Sequence, residues 1–443
     1  MGNSLNKRVG QAIKWSSAAQ IATKLIAPVT NAILARLLAP EAFGVVATLT
    51  MVVSFAEIFT DAGFQKYLVQ HEFEDQEDLE KSTNVAFWTN LVFSLLLWAV
   101  IILFAEPIAT LVGSPGCGLA VAVVCLQIPL HAFSSIQMAR YRRDLDFKTL
   151  FVMQAVTAAL PLVVTIPLAV AFRSYWALVF GTLARSVFSA VILTVRSSWK
   201  IRFWYSFEKL KDMFSFSIWT MIENISIWLT SYVDIFIVSS VLSSHYLGLY
   251  KTSMNTVNGY IGIITGATTS VLFVALSRCQ NDREEFKEVF WKFQRMVSLL
   301  IMPLGFGLYV YRELATTILL GNQWLETADF VGLWSFTSAI MVMFDHYCSE
   351  VFRSLGKPKL SVLMQVLYMI VLLPTLIFSV NKGYQFLTTT RALVRLVSIF
   401  TSCIAVRIVA GIKFTGMVKN IWPSLFSAVV MSLAGIVLRS LFD

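Results

Sequence analysis

Charged residues are scarce in this sequence of 443 residues, in which Asp, Glu, Lys and Arg together make up 14%. Soluble globular domains carry about 25% charged residues. Hydrophobic residues account for 57% of the chain, and the mean hydropathy is +0.71. This combination excludes a water-soluble fold and predicts an all-α protein that crosses a membrane many times.

Motifs for cofactors, metals and catalysis are also missing. The five cysteines are scattered, without a CxxC pair or a histidine at ligand spacing, so we expect neither a disulfide framework nor a metal site. The sequence contains no GxGxxG, no P-loop and no HExxH. No connection between apolar segments is long enough for a catalytic domain, so we expect a protein that is not an enzyme and carries no cofactor.

Long apolar stretches dominate what is present. Each is long enough to cross about 30 Å of hydrocarbon as a helix, and there are thirteen. They lie near residues 16–38, 43–68, 83–105, 118–138, 149–171, 174–195, 214–240, 246–276, 291–311, 328–351, 360–380, 384–406 and 418–440.

The distribution of Lys and Arg predicts the orientation of these spans. With the N-terminus in the cytoplasm, 25 of the 35 cationic residues lie in cytoplasmic segments, six lie on the opposite side and four lie within spans. We therefore expect a cytoplasmic N-terminus and, after thirteen spans, Asp443 on the outer side.

An internal repeat relates two halves of the chain. ILARLLAPEAFGVV after the first span corresponds to FIVSSVLSSHYLGLY after the seventh, with an offset of 204. MARYRRDLDFKTLFVMQ corresponds to EVFRSLGKPKLSVLMQ with an offset of 211, and RSVFSAVILTVR to RLVSIFTSCIAVR with 210–211. Parallel repeats of this kind predict two six-helix bundles flanking a cavity, as in alternating-access transporters. The predicted domains are bundles at 1–198 and 214–410, an interfacial linker helix at 199–213 and an additional transmembrane helix at 411–443.

Four stretches carry a resemblance to a known family. They are LARLLAPEAFGVVATLTMVVSFAEIFTDAGFQKYLVQ, RRDLDFKTL with YWALVFGTL, DIFIVSSVLSSHYLGLY, and LLGNQWLETADF. In this order they resemble the polysaccharide flippases of the multidrug/oligosaccharidyl-lipid/polysaccharide exporter superfamily, over residues 10–410.

The resemblance implies export of polyprenyl-diphosphate-linked oligosaccharide repeat units for O-antigen, capsule or exopolysaccharide, by a multi-pass protein of the bacterial inner membrane. The implied partners are the lipid-linked substrate, membrane lipids and a polysaccharide polymerase or export machinery, with no nucleic acid. Coupling to H⁺ or Na⁺ remains open. The alternatives are a cation-coupled multidrug extruder of the same superfamily and a membrane polysaccharide polymerase or ligase.

Several charged residues inside the spans form candidate pairs. Counting ~1.5 Å per helical residue places Lys24 and Glu57 at one level, either as an interhelical ion pair or as a coupling site in which Lys24 engages an anion. Asp234 and Lys251 are also level, and an ion pair is the favoured interpretation. Asp345 and His346 lie one after the other in span ten, as satisfied polar residues or as a proton relay.

Three arginines form the predicted substrate site. Arg185 and Arg395 lie ~17 Å and ~19 Å from their outer turns, near the midplane and at matching positions of spans six and twelve. Arg391 lies one turn from Arg395 on the same face. Neither span contains a carboxylate. We expect the three arginines, with Lys24, to form a cationic cavity for an anionic diphosphate; the alternative is that they pair with carboxylates of other helices.

Overall fold

The computed structural model describes residues 25–61, 63–144, 146–197 and 199–442. All regular elements in these ranges are helical. The α-helices are α1 (Leu25–Leu37), α2 (Pro40–Asp61), α3 (Phe64–Gln70), α4 (Gln76–Leu103), α5 (Ala105–Leu111), α6 (Gly118–Val124), α7 (Gln127–Arg143), α8 (Phe147–Leu160), α9 (Ile166–Phe172), α10 (Tyr175–Arg196), α11 (Phe207–Val241), α12 (Ser244–Arg278), α13 (Arg283–Val310), α14 (Arg312–Leu319), α15 (Ala328–Met341), α16 (Tyr347–Ser354), α17 (Pro358–Val380), α18 (Tyr384–Val394), α19 (Val397–Ala410) and α20 (Phe414–Phe442).

Twelve helical stretches within these ranges are long and apolar enough to cross a membrane. Each overlaps one of the predicted spans from the second to the thirteenth, which confirms the all-α polytopic class. The first predicted span, at 16–38, is described only from residue 25, where α1 is a shorter apolar helix. Lys24 and Asp443 lie outside the described residues, and the division into six, six and one spans stays a prediction.

Besides the turn at Cys125 and Leu126 between α6 and α7, three breaks interrupt the α-helical pattern of the crossings. A π-turn at Pro161–Thr165 joins α8 to α9, where proline removes a backbone donor. A second π-turn, Val342–His346, joins α15 to α16 and contains both Asp345 and His346. The third break separates α18 from α19 at Arg395 and Leu396. Two of the three breaks therefore contain predicted site residues.

The chain divides into two compact units, Met1–Gly248 and Leu249–Asp443. The first unit includes α11, which packs on α2 through a hydrogen bond from Trp228 Nε1 to Ser54 Oγ at 3.0 Å. The Trp228 ring also packs on Phe55, with centroids 4.8 Å apart. The domain boundaries predicted at 198, 213 and 410 stay predictions.

The repeat is visible in a close helix contact within the first unit. A Cβ added to Gly44 would lie 1.8 Å from the carbonyl oxygen of Ser244, and one added to Gly248 would lie 1.8 Å from that of Pro40. Gly44 and Gly248 are equivalent at the offset of 204. The two glycines thus allow α2 and the start of α12 to pack closely against each other. A side chain at either position would prevent this close contact.

The predicted linker helix at 199–213 differs from the structure. Residues 200–206 are not helical, and α11 begins at Phe207. Side chains of α4 satisfy the backbone of Arg202 in this segment, because Asn84 Oδ1 accepts from the Arg202 amide at 3.0 Å and Trp88 Nε1 donates to the Arg202 carbonyl at 3.0 Å. At Arg202 these contacts replace the hydrogen bonds that a helix would supply.

Candidate functional site

The first unit contains a cavity of about 620 Å³ between α2, α7, α8 and α10. Its polar lining includes Glu57, Gln127, His131, Gln154 and Arg185. The structure therefore brings Arg185 and Glu57, two residues predicted from separate arguments, to one cavity. Its volume lies within the range of about 300–1,000 Å³ that is typical of small-molecule sites.

Arg185 is exposed to this cavity. No carboxylate oxygen of the described residues lies within 4.0 Å of its guanidinium nitrogens. A planar guanidinium has five N–H donors in a fixed geometry, and no hydrogen bond joins those of Arg185 to another described residue. The side chain is therefore available to bind an anion, and the alternative of a carboxylate pair is not seen within the described residues.

The second unit presents its two arginines around one indole ring. The guanidinium carbons of Arg391 and Arg395 lie 5.2 Å and 4.0 Å from the ring centroid of Trp334. Both distances are within the range of a cation–π contact, which is strengthened when the cation is desolvated. Trp334 is 3% exposed, and its Nε1 donates to Asn258 Oδ1 at 3.0 Å, which holds the ring in place.

The two arginines of this unit have different surroundings. Arg391 is 9% exposed and donates to the Tyr250 hydroxyl at 3.1 Å and to the Tyr368 hydroxyl at 2.7 Å. Arg395 donates to Ser338 Oγ at 2.7 Å and lines a cavity of about 280 Å³. Arg391 is thus held by phenols, whereas Arg395 presents its remaining donors to a cavity.

Asp345 and His346 line the same cavity as Arg395. Asp345 Oδ1 accepts from Ser402 Oγ at 2.5 Å, and His346 Nε2 lies 3.1 Å from Thr269 Oγ1. Glu350, one turn further on, is buried and accepts from Arg353 at 3.1 Å. Each of these residues has a polar partner, and the proton relay stays a prediction.

The two cavities occupy equivalent places in the repeat. At the offsets of 204, 210 and 211, six pairs of equivalent residues have one member in the lining of each cavity. These pairs are Gln127/Ser338, His131/Val342, Ser134/Asp345, Met138/Ser349, Glu57/Ile261 and Arg185/Arg395. Arg185 and Arg395 are therefore equivalent in structure as well as in sequence. Sequence reasoning missed Trp334, Ser338, Tyr250 and Tyr368, although Trp334 and Ser338 are spaced i, i+4 like Arg391 and Arg395.

The other predicted residues are placed as follows. Lys24 lies outside the described residues, so its pairing with Glu57 stays a prediction. Asp234 is buried on α11, where its carboxylate accepts from the Ile235 amide, and Lys251 lies on α12. Their predicted ion pair also stays a prediction. Within the described ranges, no group of three His, Cys, Asp or Glu residues is placed to hold a metal ion.

These features define a polytopic helical membrane protein in which equivalent cavities of two units each present an arginine. The polysaccharide biosynthesis protein family model matches residues 33–329. The chain belongs to this family, and the resemblance to the polysaccharide flippases of the multidrug/oligosaccharidyl-lipid/polysaccharide superfamily is confirmed.

Known proteins similar to the chain agree with this assignment. The succinoglycan biosynthesis transport protein ExoT of Rhizobium meliloti (strain 1021) is 27% identical over 335 residues, covering 76% of this chain and 67% of that protein. The lipid II flippase MurJ, in an inward closed conformation, aligns with a TM-score of 0.75 at 13% identity, over 95% of this chain and 92% of MurJ. An inward-facing multidrug resistance MATE transporter aligns with a TM-score of 0.65 at 12% identity, over 88% and 94%. The chain therefore shares the fold of these two transporters.

Proposed function

We propose that this protein is an alternating-access flippase that moves polyprenyl-diphosphate-linked oligosaccharide repeat units from the cytoplasmic to the outer leaflet of the bacterial inner membrane. The N-terminus lies in the cytoplasm. The units then serve cell-surface polysaccharide synthesis, such as that of O-antigen or exopolysaccharide. Family membership and the transport function named for ExoT support this proposal.

The observation that carries the proposal is the exposed Arg185 in a cavity of about 620 Å³, with Arg395 at the equivalent place in the second unit. An arginine within a membrane costs about 2.5–3.5 kcal/mol on insertion scales, which folding alone gives no reason to retain. Guanidinium groups bind phosphate oxygens through two parallel hydrogen bonds. The substrate diphosphate supplies this partner, and its hydrocarbon tail stays in lipid.

The polar residues around Arg185 fit the sugar part of the substrate. Gln127, His131 and Gln154 offer amide and imidazole donors and acceptors, and Glu57 offers a carboxylate. Hydroxyl groups of an oligosaccharide replace water at such groups without leaving them unpaired. Lys24 adds a further cation to the proposed anion site. In this mechanism Glu57 or Asp345 binds the coupling ion, which is H⁺ or Na⁺.

Transport requires that bound substrate favour one state of the protein over the other. A diphosphate does so when it neutralises arginines that repel each other or remain unpaired in the empty state. The proposed partners that supply and remove substrate are enzymes of repeat-unit assembly and a polymerase or export machinery. The protein itself carries out no covalent chemistry in this scheme.

The second candidate function is a cation-coupled multidrug extruder, which the fold shared with the MATE transporter favours. Organic cations require an anionic cavity, and Arg185 and Arg395 oppose this chemistry by charge repulsion. A membrane polymerase or ligase is less compatible with the chain, because the described connections between crossings are short.

The test is transport by purified protein in liposomes loaded with a fluorescent polyprenyl-diphosphate oligosaccharide. Arg185→Gln and Arg395→Gln should each reduce the flipping rate about 100-fold or more, because each removes a charge-assisted contact with the diphosphate. Arg185→Lys should restore the rate only in part, because lysine keeps the charge and loses the paired geometry.

Arg196→Gln is the matched control, because Arg196 lies on the same helix α10, is exposed and does not line the cavity. It should transport at the wild-type rate. A stable Arg185→Gln/Arg395→Gln double variant that flips the lipid normally would refute the proposal. Uptake of an organic cation such as ethidium, without flipping of the lipid-linked oligosaccharide, would support the extruder instead.

A further inference from the structure

A second cavity of the second unit is separate from the arginine sites. It is a lateral groove of about 610 Å³ between α15, α19 and the start of α20. Its walls are mainly apolar, and its charged lining residues, Arg407 and Lys413, lie together at one end. Ile340 and Phe344 face this groove, whereas Ser338, Met341 and Asp345 face the Arg395 cavity, so the two sites lie on different faces of one helical stretch.

The groove is open because two consecutive helices do not pack together. Among the described residues, α19 and α20 share almost no packing along their lengths, and α20 packs along α13 instead. Ser298 and Ser424 form a hydrogen bond of 2.8 Å across that contact, and Asn420 Nδ2 donates to Gln294 Oε1 at 3.0 Å. These polar contacts hold α20 away from α19 and leave an apolar space between them.

The dimensions of the groove match one leaflet of a bilayer. Its wall on α19 is a single stripe that runs from Leu396 to Arg407 at i, i+3 and i+4 spacing. Eleven residues of helix rise ~16 Å, and half of a 30 Å hydrocarbon core is ~15 Å. Phe400 and Ile404 on this stripe are 70% and 61% exposed, so the groove faces the lipid.

The cations lie at the end where the distribution of Lys and Arg predicts the cytoplasm. Arg407 and Lys413 are exposed, and no carboxylate of the described residues lies within 4.0 Å of either. Gly411, with a φ of 71°, ends α19 and turns the chain so that both cations border one opening. Two unpaired cations above an apolar stripe fit an anionic headgroup above a hydrocarbon chain.

We propose that this groove binds one anionic glycerophospholipid of the cytoplasmic leaflet. Its phosphate lies at Arg407 and Lys413, and one acyl chain lies along the stripe from Arg407 to Leu396. A zwitterionic lipid fits less well, because its ammonium group would lie beside two cations. Hydrophobic contact along the stripe and charge complementarity at its end then act on the same molecule. This inference does not depend on the identity of the transported substrate.

The experiment counts lipids retained by the full-length protein after release from nanodiscs of equimolar phosphatidylglycerol and phosphatidylcholine, using native mass spectrometry. The wild type should retain one phosphatidylglycerol in preference to phosphatidylcholine. R407Q/K413Q should reduce this preference roughly tenfold, because two cations near an anionic headgroup are removed. K357Q/K359Q is the matched control, since it removes two exposed cations at the N-terminal end of α17 that do not line the groove.

A second variant tests the apolar part of the groove without changing charge. Ile404→Trp places a larger side chain in the acyl-chain stripe and should also reduce phosphatidylglycerol retention, while thermal melting shows that the protein remains folded. A diazirine-labelled phosphatidylglycerol should crosslink to peptides of α19 and α20. Both readouts locate the lipid rather than report only the charge of the surface.

Three outcomes would overturn the proposal. The first is equal retention by the wild type and R407Q/K413Q, and the second is an equal loss in K357Q/K359Q, which would indicate a general surface-charge effect. The third is displacement of phosphatidylglycerol by polyprenyl phosphate at equal mole fraction, with stronger crosslinking of a diazirine-labelled polyprenyl phosphate to the groove. That result would assign the groove to an isoprenoid chain instead of a phospholipid.

Discussion

Arg185 of the first unit and Arg395 of the second occupy equivalent positions of the repeat, yet the structures around them differ. Arg185 is exposed in a cavity of about 620 Å³ and has no carboxylate of the described residues within 4.0 Å. Arg395 lies 4.0 Å from the ring of Trp334, donates to Ser338 and borders a cavity of about 280 Å³. One arginine is therefore freely accessible, and the other is held in a fixed orientation.

The residues that hold the second site have no counterparts in the first. At the repeat offsets, Val123, Thr157, Val46 and Gly181 of the first unit correspond to Trp334, Tyr368, Tyr250 and Arg391 of the second, in that order. Each copy of the repeat thus has an arginine at the equivalent position, but the side chains that contact this arginine differ between the copies. We infer that the second unit is preorganised for an anion, since its guanidinium groups lose little side-chain entropy on binding, whereas Arg185 adapts to the substrate.

The largest expected effect in this comparison follows from removing the ring shared by the two arginines. Trp334→Ala should lower the free energy of unfolding by about 3–5 kcal/mol and abolish flipping, because it leaves a cavity and frees both guanidinium groups. Thermal melting in detergent and the liposome assay measure these effects. Trp334→Phe, which keeps an aromatic face, is the control and should recover most of both. Unchanged melting in Trp334→Ala would show that the stack does not stabilise the second unit.

The second prediction compares Arg391 of the second unit with Arg185 of the first. Arg391→Gln should lower the free energy of unfolding by about 2–3 kcal/mol, because the hydroxyls of Tyr250 and Tyr368 lose a charged donor in a buried site. Arg185→Gln should change it by less than about 0.5 kcal/mol, because Arg185 is exposed. Melting curves of the two variants side by side measure the contrast. Equal destabilisation by the two substitutions would remove the distinction between a held and a free arginine.

A smaller effect is expected from the hydrogen bond that orients Arg395. Ser338→Ala should slow flipping about fivefold and lower the free energy of unfolding by about 1.5 kcal/mol, the lower end of the contribution of one hydrogen bond to a charged group. Ser335→Ala on the same helix is the control, since Ser335 donates only to the backbone carbonyl of Val331. A Ser338→Ala variant that transports at the wild-type rate would show that Arg395 keeps its orientation through Trp334 alone.

The smallest effect concerns the carboxylate that distinguishes the first cavity, because Glu57 corresponds to Ile261 in the second. If Glu57 serves as a structural partner of Lys24, Glu57→Gln should lower the free energy of unfolding by about 1 kcal/mol and leave the dependence of transport on a pH gradient unchanged. Flipping in liposomes with and without an imposed gradient measures this. Loss of the gradient dependence in Glu57→Gln, with unchanged melting, would instead assign ion coupling to this residue.

The sequence by itself determined the membrane class, twelve of the crossings and the equivalence of Arg185 and Arg395. These features depend on local properties: a helix satisfies its own backbone hydrogen bonds in lipid, and a run of about twenty apolar residues has no other stable arrangement there. The repeat offsets then place equivalent residues at equivalent depths. Hydropathy and spacing were therefore sufficient to find the equivalent arginines of the two cavities.

The tertiary structure alone decided what surrounds those cations and what covers the polar backbone outside the spans. Trp334, Tyr250 and Tyr368 come from three different helices, and no spacing along the chain relates them to Arg391. The linker at 199–213 is predicted to be a helix, yet residues 200–206 are not helical, and Asn84 and Trp88 bind the backbone of Arg202 there. Side-chain contacts between helices depend on how the helices cross, and that crossing results from packing over the whole unit rather than from any local pattern.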